Sequence, residues 1–62
     1  MSELPGELAD ALAAAPDAAA LFEALPPSHR REYVQWVAEA KKPETRLSRA
    51  EKAIARLRAT KT

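Results

Sequence analysis

Cations stand where two helices should begin. In the run SHRREYVQWVAEAKKPETR (residues 28–46), His29, Arg30 and Arg31 follow Ser28 directly, while Arg46 falls in the first turn after Pro43, with Lys41 and Lys42 just ahead of it. A helix N-terminus carries partial positive charge, so an exposed cation there costs ~0.3–1 kcal/mol relative to an acid. Such a placement suits an anion. Lys42 and Arg46, with free backbone N–H groups and the Thr45 hydroxyl, can seat a phosphate or a carboxylate, and Lys41 and Arg49 extend the charge. Trp36, if partly exposed beside Arg46 or Arg49, gives that surface a floor. His29, Arg30 and Arg31 form a second cationic edge.

Each feature also has a plainer explanation. Lys41 and Lys42 suit the negative end of the preceding helix, and Glu39 and Glu44 can neutralise Arg46. Tyr33 and Trp36, three positions apart on one helix face, can simply be core. His29 has no nucleophile or carboxylate at a spacing that catalysis requires, so no catalytic residue is expected. The chain has one His and no Cys, which leaves no metal-ligand set, and no cofactor is expected.

The elements that must hold these residues are helices. Gly occurs once, and Ala, Leu, Glu, Arg and Lys dominate, with no stretch alternating for long enough to be a strand. Prolines punctuate the sequence at 5, 16, 26, 27 and 43, each at a helix start or just past an end. The periodicity predicts helices at about 5–14, 16–25, 28–41 and 43–59, with Ser28 as N-cap of the third. Leu8 and Leu12, then Ala18, Leu21, Phe22 and Leu25, then Tyr33, Trp36, Val37 and Ala40, then Leu47, Ala50, Ile54 and Leu57 make the apolar faces. The expected fold is a single all-α domain over residues 1–62, a small bundle of four helices in which two short N-terminal helices dock on a longer C-terminal pair. The five residues at each end are expected to be loose. A monomer is expected unless Val34, Leu4 and Leu8 are exposed together.

The formal net charge of +1 hides an asymmetry. Residues 1–27 hold Glu3, Glu7, Asp10, Asp17 and Glu23 and no Lys or Arg, a sum of −5; residues 28–62 hold all 10 Lys and Arg against Glu32, Glu39, Glu44 and Glu51, a sum of +6. The two halves should attract. At 62 residues only roughly 60% of the unfolded surface can be buried, so an internal catalytic cavity is not expected. No basic n-region precedes an apolar run, and no run approaches the ~20 apolar residues that cross a bilayer. A cytoplasmic location is expected.

The run from Leu25 onward closely resembles the C-terminal helical domain of the bacterial YdeI/OmpD-associated family, often labelled bacteriocin-protection proteins. Phe22, SHRREY at 28–33, Trp36, AKKPETR at 40–46 and Arg49 carry the likeness, and LADALAAAPDAAALFEAL at 8–25 resembles the family's lead-in. The resemblance implies a small helical fold, an association with protection against bacteriocins or antimicrobial peptides, and a link to an outer-membrane porin. Many relatives carry a β-rich domain ahead of this one. Ala50 and Glu51 stand where relatives more often have a β-branched and a basic or polar residue.

The function expected from these features is non-enzymatic: an interaction module whose cationic helix junction binds an acidic protein surface or a small anion. The alternative is a nucleic-acid-binding helical domain, opposed by the interspersed glutamates and the adjacent acidic helices. An enzyme acting on an acidic metabolite lacks a nucleophile and a glycine-rich phosphate loop. Membrane-surface binding would need the apolar stripe of the fourth helix, which the core also needs.

Overall fold

The computed structural model describes residues 4–59, and these form four α-helices and no strand. They are α1 (Gly6–Ala13), α2 (Pro16–Ala24), α3 (Pro27–Ala38) and α4 (Pro43–Ala59). The chain is an all-α bundle. Proline sets the starts: Pro16 and Pro27 each occupy the first turn of their helix, and Pro5 and Pro26 are the caps of α1 and α3. A proline at the first position loses nothing, because its missing N–H is one that a helix start leaves unpaired.

That preference displaces the expected Ser28 cap. Pro26 is the N-cap of α3, Ser28 lies inside the helix and is exposed, and no side chain caps the start. The Pro26 carbonyl instead accepts from the N–H groups of His29 and Arg30, at 3.0 and 3.1 Å. The other end of α3 also differs. It stops at Ala38, three residues before the expected Lys41, because Pro43 disfavours helical geometry at Lys42 and the chain must turn first. Lys41 and Lys42 therefore lie in the 39–42 link, and the last turn of α3 has no basic residue of its own.

Every other helix packs on α4, and α1 also meets α2. α4 has 17 residues and so runs about 25 Å, most of the 32 Å long axis of the molecule. Around it the core comprises Leu8, Leu12, Ala15, Ala18, Phe22, Val37, Ala50, Ala53, Ile54 and Leu57. Leu8, Val37 and Leu57 are the largest side chains that are fully buried. Phe22 meets Tyr33 edge to face, with ring centroids 6.3 Å apart, which ties α2 to α3.

Five apolar positions depart from expectation. Leu47, expected in the core, is 50% exposed, and Tyr33, Trp36, Leu21 and Leu25 are only half-buried. The buried seam of α4 comprises Ala50, Ala53, Ile54 and Leu57, so three of the four expected positions hold and Ala53 is buried where Leu47 is not. Arg46, four residues before Ala50, falls at the end of that seam. Leu8 is fully buried, while Val34 and Leu4 are half-buried against the core, so these three do not form a shared exposed patch. Leu4 packs on the core, Pro5 is buried, and Arg58 and Ala59 continue α4, so none of these is loose, contrary to expectation; residues 1–3 and 60–62 lie outside the described residues.

Leu57→Ala should cost about 2–5 kcal/mol in urea unfolding, because it empties a site of full burial. Leu47→Ala should stay within about 0.5 kcal/mol. Equal losses from the two would mean that Leu47 carries core load.

Candidate functional site at the α3–α4 corner

The misplaced cations of α4 have a local use. The last carbonyls of a helix lack intrahelical donors and gather partial negative charge. At the end of α3 those carbonyls are met by arginines from the next helix: Arg46 Nη1 donates to the carbonyl of Ala38 and to that of Ala40 just past the helix, both at 3.3 Å, and Arg49 Nη1 donates to the carbonyl of Trp36 at 2.7 Å. The corner places an N-terminal turn against a C-terminal one. An arginine that opposes its own helix's polarity thereby satisfies its neighbour's.

The carboxylate that meets Arg46 is neither Glu39 nor Glu44, as the sequence suggested, but Glu7 of α1. Arg46 Nε donates to Glu7 Oε1 at 3.2 Å, the two side chains being 29% and 30% exposed. At the far end of α4, Arg58 grips Asp17 of α2 through Nε and Nη2, at 3.0 and 3.2 Å. Both acids stand in the first turn of their helices. The Glu7 carboxyl is held below its ordinary value by hydrogen bonding from its own backbone N–H, then by the Arg46 bond. The Asp17 carboxyl is held low chiefly by the Arg58 bond, which in turn raises the guanidinium. The attraction between the acidic and basic halves is thus realised at two specific points.

These contacts redistribute the proposed site. Arg46 is committed to Glu7 and two carbonyls, and Thr45 beside it is half-buried, so the anion seat drawn from Lys42, Thr45 and Arg46 is not open as such. Lys41 and Lys42 are exposed and make no ion pair among the described residues. Trp36 gathers the remaining charge: the Arg49 guanidinium lies 5.6 Å from its ring centroid and that of Arg56 5.9 Å, both within cation–π range. An open cleft of about 400 Å³ follows, lined by His29, Glu32, Tyr33, Trp36 and Arg56.

Of the second cationic edge, His29 joins this cleft, Arg31 is exposed, and Arg30 is half-buried with its Nε shielded and unpartnered among the described residues. Arg56, Glu32 and Tyr33 line the cleft but were not among the site residues expected from the sequence. The signal was available: Arg49 and Arg56 are seven apart, hence on one face, as are His29, Tyr33 and Trp36 at spacings of four and three. Among the described residues no helix is long and apolar enough to cross a membrane.

Arg46→Ala should destabilise the domain by about 1–3 kcal/mol in urea unfolding, since it leaves the Ala38 and Ala40 carbonyls without their side-chain donor. Arg46→Lys should recover only part, because an ammonium lacks the planar fork that serves Glu7 and two carbonyls together. Acid unfolding reports the other clamp. Because Asp17 titrates lower in the folded chain than in the unfolded one, its contribution is complete above its ordinary value of 3.8 and is lost as pH falls through the lower folded value. Arg58→Gln should therefore flatten the acid limb of a Tm-against-pH curve; an unchanged limb would show that the pair is idle in solution.

No curated protein and no solved structure matches the sequence. Over residues 1–60, essentially its whole length, the chain matches and belongs to the family described as bacteriocin-protection, YdeI or OmpD-associated.

Proposed function

We propose that this domain is a non-enzymatic interaction module that docks an acidic protein surface or anionic group on the α3–α4 face, acting as a cytoplasmic monomer. The observation that carries the proposal is Trp36, half-buried, bracketed by Arg49 and Arg56 and open to a cleft beside His29 and Tyr33. A flat ring next to guanidinium groups offers apolar area and hydrogen-bond donors together, the combination that anchors binding interfaces. Lys41 and Lys42 add unpaired positive charge at the same corner. The cleft is open to solvent, which suits a docking surface better than chemistry that depends on excluded water. The family description supports a process of protection against bacteriocins or related antimicrobial peptides.

A nucleic-acid reading has less support. A duplex is held by many cations free to meet phosphates, whereas Arg46, Arg49 and Arg58 already donate to acceptors within the protein.

Trp36 is the chain's one tryptophan, so its fluorescence reports on the surface directly. Titration with an oligo-glutamate peptide should shift the emission at low salt and less at high salt. Lys42→Glu with Arg56→Glu should abolish the response while helicity stays unchanged. Absence of any response, or a gel shift of duplex DNA at low salt in its place, would refute the reading.

A further inference from the structure

On the opposite flank of α4 lies a groove of different character. It runs between α1 and α4, has a volume of about 490 Å³, and is lined by Glu7, Asp10, Ala11, Ala14, Leu47, Glu51, Ile54 and Arg58. Its floor is apolar, and it contains Leu47, the exposed large hydrophobic side chain among the described residues. Leu47, Glu51, Ile54 and Arg58 follow at spacings of four, three and four, a stripe along one face of α4 about 16 Å long, or three turns.

The banks of the groove are acidic. Three carboxylates face one guanidinium, a formal charge of −2 on a molecule of net charge +1. Glu7 and Arg58 are occupied by Arg46 and Asp17. Asp10 on the α1 bank and Glu51 on the α4 bank are exposed and make no ion pair among the described residues. Free negative charge therefore stands on both sides of an apolar trough.

We propose that this groove is a second docking site, and that its occupant is a short cationic amphipathic helix of another protein or peptide. The apolar face of such a helix covers Leu47, Ala11 and Ala14, and Lys or Arg side chains on its two edges reach Asp10 and Glu51. Charge complementarity selects this occupant. A nucleic acid or an anionic lipid surface meets like charge. A second copy meets it too, since a two-fold contact through the groove brings the acidic banks of both chains together. The inference stands on a different face from the Trp36 cleft and does not depend on it.

The probe is a fluorescently labelled helical peptide of about twelve residues, long enough for three turns, with Leu along one face and Lys on both edges. Fluorescence anisotropy should show binding that weakens with salt, and the same peptide with Glu for Lys should not bind. Leu47→Gln, at a position already half in solvent, should weaken binding about tenfold without loss of helicity. Asp10→Asn with Glu51→Gln should weaken it and reduce its salt dependence. The proposal is overturned if the Lys peptide fails to bind, if the Glu peptide binds as well, or if Leu47→Gln changes nothing. It is equally overturned if the unliganded chain sediments as a dimer that Leu47→Gln dissociates.

Discussion

The guanidinium groups of α4 are the constraint on which the arrangement of the other helices rests. Arg46 touches the first turn of α1 and the last carbonyls of α3; Arg49 touches α3 again; Arg58 touches the first turn of α2. Each partner is a helix terminus, where charge has gathered on unpaired backbone groups or on an acid placed to offset them. The need is plain from the core. Among the described residues, five of the eleven buried apolar side chains, Ala40 included, are alanines, which allow close approach of backbones but remove little apolar area from water. Directional contacts at the helix ends fix an arrangement that such small side chains would leave loosely specified. The pair Arg46–Glu7 is less exposed than Arg58–Asp17 and so less screened by solvent.

Much of this fold was legible in the sequence because proline marks its boundaries and helical periodicity fills the intervals. The α4 bounds follow directly from Pro43 and from the spacing of Ile54 and Leu57. Leu47 was misplaced for an instructive reason. Hydropathy assigns the buried stripe to the larger apolar residue, whereas the small Ala53 is fully buried and the half-buried Arg46, with its long flexible stem, stands at the edge of the core instead of Leu47. The Ser28 cap failed because two prolines compete for the same turn. The attraction between acidic and basic halves could be read from composition, but which acid meets which arginine could not. Glu7 lies 39 residues from Arg46 and Asp17 lies 41 from Arg58, and no local pattern encodes such pairs.

The candidate surface was half legible for the same reason. Trp36, Arg49 and His29 were identifiable as candidates; His29 and Trp36 line one cleft with Arg56, while Arg49 meets the Trp36 ring without lining that cleft. Arg46 was identifiable as unusual too, yet its unusual place serves the corner itself. A cation against helix polarity is thus ambiguous until its neighbour's carbonyls are located. What the pairing leaves is a division of α4 into two flanks of opposite sign, Arg49 and Arg56 beside an aromatic ring on one, Glu51 beside exposed Leu47 on the other. A domain belonging to a family described by bacteriocin protection therefore carries two chemically distinct faces on a single rod.

Placing the hub helix after all the helices it organises has a kinetic consequence. Small helical bundles usually fold fast because their contacts are close in sequence, but here the docking of α1 and α2 waits on loops of some forty residues being closed. Neither short helix can hold its shape meanwhile. The α3–α4 corner, whose carbonyl bonds span only 6 to 13 residues, is the cheapest structure in entropy to form first, and the acidic half condenses onto it.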